Sequence, residues 1–207
     1  MSWWMSLLYD RVMSSAERAC LVDWRADLLH GLGGEVLEIG AGTGANLPHY
    51  PAAVTRLVAT EPDLHMLEKL RARVRTGGRP TPQLVAATSD DLPFPDASFD
   101  AVVTTLVLCS VPDPTRTLTE LRRVLRPGGT LVYLEHVAAE GDPDRLAWQR
   151  RIEPVWKHVA GNCHLTRRTG DAIRHAGFDV EKEQRESMRK SFFFTRPTVR
   201  GIARKPA

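Results

Sequence analysis

The run Val36-Leu37-Glu38-Ile39-Gly40-Ala41-Gly42-Thr43-Gly44-Ala45-Asn46 constrains this chain more than any other stretch. A mostly apolar tetrapeptide leads straight into three glycines spaced two apart. A buried strand ending in such a loop brings bare backbone close to whatever the loop holds. Glycine there also permits positive φ. The rest of the chain must supply the sheet on which that loop sits, and must decide which ligand it serves.

The bulk properties narrow the setting. At 207 residues the chain can bury one good core and is too short for two ordinary domains. Hydrophobic content of 43% against 26% charge is that of a folded globular protein, so disorder is not the default. The 28 basic and 25 acidic residues nearly balance, which gives no electrostatic case for a nucleic-acid partner. Cys20, Cys109 and Cys163 are odd in number and far apart, so they spell neither a disulfide framework nor a metal site. No apolar run reaches membrane-span length, and no basic region precedes the Trp3-Trp4 stretch. The expectation is a cytoplasmic protein with no stable membrane insertion.

Read in order, the pattern alternates. Residues 3–30 carry apolar positions at helical spacing and end at His30-Gly31. Val36–Ile39 is the first strand, with a short helix near Ala45–Tyr50 after its loop. Strands follow at Arg56–Glu61, Pro82–Ala87, Ala101–Leu108 and Thr130–Glu135, with helices at Asp63–Val74 and Pro114–Leu125 between them. Beyond Gly141 a helix over Asp144–Ala160 is predicted, interrupted at Pro154, then a second at Thr169–Ala176. Two closing strands, Phe178–Glu186 and Thr198–Arg204, complete the pattern. It predicts an α/β fold: a doubly wound, seven-stranded, mostly parallel sheet with a C-terminal antiparallel hairpin. The expected organisation is a single domain over 1–207. It comprises an N-terminal helical lid at 1–30, a core at 31–140, inserted helices at 141–176 and terminal strands at 177–207.

Three ligands compete for the glycine loop. A phosphate loop needs a Lys-Ser/Thr pair after its last glycine, and Gly44 is followed by Ala45-Asn46-Leu47. A dinucleotide fingerprint wants its third glycine one residue later than Gly44, and Glu38 would repel a pyrophosphate. A cationic, ribose-bearing ligand suits the site better. A carboxylate at the strand end favours a sulfonium and an ammonium. Glu61, ending strand two, is placed to accept ribose hydroxyls.

At this point the chain resembles the class I S-adenosylmethionine (SAM)-dependent methyltransferases. The likeness rests on Glu38-x-Gly40-x-Gly42-x-Gly44, Glu61-Pro62, Asp91-Leu92-Pro93-Phe94 and Leu125-Arg126-Pro127-Gly128-Gly129, in order and each at a strand end. It implies SAM as cofactor, with S-adenosylhomocysteine as product. Glu38, Gly40, Ala41, Gly42, Thr43, Gly44 and Asn46 would then surround the methionine part. Glu61 would hold the ribose, and Pro62 and Met66 would flank the adenine. Thr88, Ser89 and Asp90 would line its edge, and Thr105 and Leu106 would meet the amino group through backbone carbonyls. Many relatives carry an acid where this chain has Thr88.

A narrower likeness covers the second half. Leu106-Val107-Leu108-Cys109-Ser110-Val111, Glu135-His136-Val137, Glu153-Pro154-x-Trp156-Lys157-His158 and Cys163-His164-Leu165-Thr166-Arg167 are similar to the methyltransferase-like protein 7 group, which are thiol S-methyltransferases. The resemblance implies S-methylation of a small-molecule thiol. It does not extend to the hydrophobic N-terminal anchor of the animal members. His136 and His158 are the candidate bases for deprotonating the acceptor; a structural or solvent-facing role is the competing reading for each. Trp4, Tyr9, Cys109, Trp156 and His164 are the candidate acceptor contacts, and the stretches Trp3–Tyr9 and Trp148–Leu165 are expected to close over the cofactor as an apolar lid. For Cys109 a buried small hydrophobe, and for Cys163 an ordinary loop thiol, are the plainer readings.

Other acceptors stay open: a quinone-type ring methylated at carbon, or a small molecule methylated at oxygen or nitrogen. A SAM-binding regulatory subunit is the non-enzymatic alternative. Amino-methylation of nucleic acid needs an Asp/Asn-Pro-Pro-aromatic stretch after strand four, and Leu106-Val107-Leu108-Cys109 is not one.

Overall fold

A computed structural model describes residues 10–11, 13–76 and 81–207. Its centre is a seven-stranded sheet in the order β3-β2-β1-β4-β5-β7-β6. The strands are β1 (Gly34–Ile39), β2 (Val54–Thr60), β3 (Gln83–Val85), β4 (Phe99–Thr105), β5 (Leu125–His136), β6 (Asp179–Ser187) and β7 (Pro197–Arg204). The first five run parallel, and β7 lies antiparallel to both β5 and β6. The expected architecture and terminal hairpin are therefore present. The central strands are buried on both faces: Leu37, Ile39, Val58, Val102 and Leu131 are fully covered, as near-continuous apolar strands of a parallel sheet must be.

Among the described residues, the α-helices accompanying the sheet are α1 (Val22–Leu29), α2 (Leu64–Arg75), α3 (Pro114–Val124), α4 (Pro143–Val159) and α5 (Thr169–His175). A π-turn at Glu17–Leu21 runs into α1. Three helices start on an aspartate whose carboxylate accepts from first-turn amides: Asp63 for α2, Asp113 for α3 and Asp142 for α4. Such caps satisfy donors that the helix itself cannot.

Three expectations change. β4 stops at Thr105 rather than Leu108, because Leu106 adopts φ +60° and turns the chain out of the sheet. β5 starts at Leu125, so the Arg126–Gly129 turn belongs to an irregular strand entry rather than to a gap before it. Pro154 does not interrupt α4. It lies on the exposed side of the helix, where water can take the carbonyl that loses its amide partner. No helix among the described residues is long and apolar enough to cross a membrane.

Candidate active site

The strand order reverses between β1 and β4, and open α/β sheets bind ligands outside the carboxyl ends of their strands at such a point. A cavity of about 650 Å³ lies there. Its walls come from the ends of five strands: Gly40 and Gly42 after β1, Glu61 after β2, Ala87 to Asp90 after β3, Thr105 and the loop to Pro112 at the end of β4, and His136 on β5. A smaller cavity of about 280 Å³, around Gly31, Arg126 and Gly128, sits at the opposite end of the sheet.

The glycine loop is shaped by its neighbours. Gly40, Gly42 and Gly44 all have positive φ. A Cβ on Gly44 would strike Leu47 and Leu70, so that glycine allows close packing of the loop on α2. At Gly42 an added Cβ would meet only the Gly40 carbonyl oxygen, at 4.0 Å. The backbone is bare on that side. The Gly42 amide donates to Glu61 Oε2 at 2.8 Å, and the Asp63 amide donates to Oε1 at 3.0 Å. Burial raises the Glu61 carboxyl above its ordinary range, with those two amides pulling the other way.

One end of the cavity is polar: Glu61, Asp63, Thr88, Ser89 and Asp90, with Pro62 and Met66 beside them. The other is apolar and sulfur-bearing: Val107, Cys109, Val111, Trp156, Ala160 and Cys163, with Met13 reaching in from the N-terminal segment. The polar end has the carboxylate, hydroxyls and bare glycine backbone that a ribose and a methionine moiety require. The donor set fits SAM.

The structure brings together at this cavity Gly40, Gly42, Glu61, Pro62, Met66, Thr88, Ser89, Asp90, Thr105, Leu106, Cys109, His136 and Trp156. Others lie behind it. Glu38 is buried one layer deeper, accepting from Asn46 Nδ2 at 2.8 Å and Tyr50 OH at 2.9 Å. Burial lifts its carboxyl to about 7. It braces the loop through Asn46 and Tyr50 and is not itself in the cavity wall. Asn46 also donates to Thr105 Oγ1 at 3.0 Å, and Ala41, Thr43 and Gly44 shape the loop from outside the cavity. His158 is exposed on α4 and is not in the cavity wall. His164 also lies outside the wall, with Nδ1 3.4 Å from Glu153 Oε1. Trp4 and Tyr9 fall outside the described residues. Of the expected lid, Trp156 and the turn through Cys163 reach the cavity, whereas Trp148 is exposed.

His136 does line the cavity. Desolvation lowers its imidazole to about 4, so the ring is neutral at neutral pH. Its Nδ1 is buried without a hydrogen-bond partner among the described residues, and the same holds for Trp156 Nε1. Buried polar atoms left so are costly unless a ligand meets them.

Two residues that organise the site had no assigned part. Glu135 is fully buried on β5; it accepts from Thr104 Oγ1 at 2.8 Å and from the amides of Val107 at 3.2 Å and Cys109 at 3.1 Å. It therefore sets the loop after β4. Arg25, 4% exposed on α1, donates to Asn46 Oδ1 at 2.6 Å and Thr105 Oγ1 at 3.0 Å, and pairs with Glu17 at 2.9 Å. The signal for Arg25 was present: it follows Leu21 by four and precedes Leu28 and Leu29, on the apolar face of its helix.

These elements define an α/β methyltransferase. A family model described as "Methyltransferase domain" matches residues 37–133. The thiol S-methyltransferase TMT1B of Homo sapiens is 38% identical over 201 residues, spanning 95% of this chain and 81% of that protein. The thiol S-methyltransferase TMT1A of the same organism is 34% identical over 205 residues, 97% of this chain and 82% of its own. The chain belongs to the SAM-dependent methyltransferase family. A putative methyltransferase structure from Bacillus halodurans superposes with a TM-score of 0.70 over 91% of this chain and 100% of its own, at 20% identity, a likeness of fold alone.

Proposed function

We propose that this enzyme transfers a methyl group from SAM to a small, apolar thiol. What carries the reading is the similarity, over 95% of the chain, to proteins named thiol S-methyltransferases. That span includes the apolar end of the cavity as well as the glycine loop.

When bound, SAM supplies an electrophilic methyl group on a sulfonium sulfur. Glu61 would accept the ribose hydroxyls, keeping its two backbone donors, while Pro62 and Met66 would flank the base and Thr88, Ser89 and Asp90 would line its edge. The Gly40–Gly42 backbone admits the methionine part. The chain's task on the acceptor side is to hold a sulfur in line with the methyl carbon and to exclude water. Val107, Val111, Trp156 and Ala160 make that wall apolar, which favours a neutral hydrocarbon thiol over a zwitterionic one.

A thiol with an ordinary pKa near 8.5 needs only a modest shift to react as thiolate. His136, neutral and with a pKa of about 4, is a weak proton acceptor. It contributes to the acceptor-side wall as a neutral imidazole, beside the indole of Trp156.

Incubation with labelled SAM and a panel of alkyl thiols, quinols, catechols and amines tests the reading. The expected product is a thioether from apolar thiols. Turnover of quinols or catechols with no thioether overturns the thiol assignment.

A further inference from the structure

Cys109 and Cys163 lie 54 positions apart in sequence and were set aside as unrelated thiols, yet the fold joins them. Both are buried, unbridged, and packed in one cluster with Leu165, Trp156 and Phe194. Both also form part of the cavity wall, so a small solute entering the cavity reaches them. The two loops that carry them are clamped on either side of the pair. The His164 amide donates to the Cys109 carbonyl at 2.8 Å, and Asn162 Nδ2 donates to the Ser110 carbonyl at 2.8 Å. Arg167 donates to the carbonyls of Leu108 at 2.5 Å and Val111 at 2.6 Å.

We propose that Cys109 and Cys163 form an oxidisable dithiol site in the wall of the acceptor end, closed to a disulfide by peroxide. A direct backbone hydrogen bond between the two loops and packing in one cluster set the cysteines beside each other, and a disulfide requires such neighbours. The two thiols are unequal. Hydrogen bonding from Cys109 holds Cys163 below the usual thiol range, and the Arg167 charge acts the same way; the bond to Cys163 pushes Cys109 up. Cys163 is therefore the nucleophile.

Its thiolate attacks one peroxide oxygen, the O–O bond breaks, and hydroxide leaves to be protonated, giving a sulfenic acid on Cys163. The Cys109 sulfur then loses its proton, attacks the Cys163 sulfur and expels hydroxide, which leaves as water. The sum is two thiols and one hydrogen peroxide giving one disulfide and two waters. The bond draws the loop after β4 onto the loop after α4. It alters the acceptor wall and leaves Glu61 and the glycine loop untouched.

The effect on turnover rests on the thiol reading; the cross-link does not, and the test separates them. The full-length protein is treated with hydrogen peroxide, digested without reduction and analysed by mass spectrometry. The expected product is a peptide joining Cys109 to Cys163, lighter by two hydrogens and released by dithiothreitol. Cys20, buried elsewhere against the Ala16 carbonyl, stays unmodified. Oxidised protein should lose roughly tenfold or more in acceptor turnover, the scale of an ångström-level misplacement at a reacting centre. SAM affinity by calorimetry should not change, and reductant should restore the rate. Peroxide that oxidises either cysteine without forming the joined peptide overturns the proposal, as does a cross-linked protein with full turnover. If the reduced protein methylates no thiol, the acceptor reading fails while the joined peptide still decides the dithiol site.

Discussion

At the residue scale, buried carboxyls carry the sharpest expectations. Glu61 lies in the cavity wall with each carboxylate oxygen held by a backbone amide, Gly42 on one and Asp63 on the other. Glu61→Ala should weaken SAM binding by about 1–3 kcal/mol, the range for lost charge-assisted hydrogen bonds; unchanged affinity by calorimetry would mean that the ribose is held elsewhere. Glu38 gives a pH signature. The fold keeps it protonated to about 7, whereas its ordinary value is 4.5. Between those values the native state holds a proton that the unfolded chain has released. Its contribution is therefore complete below about 4.5 and is lost as pH rises through 7. Glu38→Gln cannot ionise, so wild type should lose up to about 3 kcal/mol relative to the variant between about pH 5 and about pH 8. Parallel stability curves from urea titrations at the two pH values would refute it. His136 should contribute no limb near pH 6.5 to the rate profile, since burial has already moved its titration to about 4; an acid limb at 6.5 that disappears in His136→Asn would show the opposite.

At the scale of elements, what was readable depended on whether one residue's own chemistry dictated the backbone. The three glycines and the Glu61-Pro62 strand end did so, and each lies where its pattern placed it. Asp63 did so too, as the cap of α2. The loop after β4 was not readable, because nothing in Leu106-Val107-Leu108 announces a positive φ. That turn is imposed by Glu135, 29 positions on from Leu106, whose carboxylate collects the amides of Val107 and Cys109. Likewise the exposure of His158 depends on the phase of α4, and Pro154 obscured that phase by suggesting a break. Helix α4 is anchored instead by Gln149, fully enclosed, which donates to the carbonyls of Val137 at 3.1 Å and Phe194 at 3.0 Å and accepts from Ala139 at 2.8 Å. Gln149→Ala strands three backbone groups, two of them buried, and should cost about 2–4 kcal/mol of stability. The same substitution should raise the acceptor KM more than it weakens SAM binding, as steady-state kinetics and calorimetry would report.

At the scale of the whole molecule, the sheet separates support from chemistry. The amino-terminal strand ends are tied by Arg126, which pairs with Asp100 at 2.5 Å and Glu35 at 2.8 Å. The cavity takes its wall from the carboxyl ends. The antiparallel closure packs tightly: a methyl group on Gly201 would collide with the Lys182 carbonyl and the Tyr133 hydroxyl. Gly201→Ala should therefore destabilise the fold by more than 2 kcal/mol, roughly the tail of single-substitution effects, and lower the thermal midpoint with SAM affinity preserved in the folded fraction. An unchanged midpoint would mean that β6 moves aside freely.

The clamps between the loop after β4 and the tract after α4 carry a consequence for engineering and for descent. Asn162, His164 and Arg167 each hold the opposite loop by its backbone carbonyls, so the fit between the two depends on geometry more than on side-chain identity across the seam. Residues 106–112 and 160–168 thus form one exchangeable cassette. Transplanted together into another scaffold of this shape they should carry acceptor preference with them, and transplanted singly they should carry neither preference nor stability.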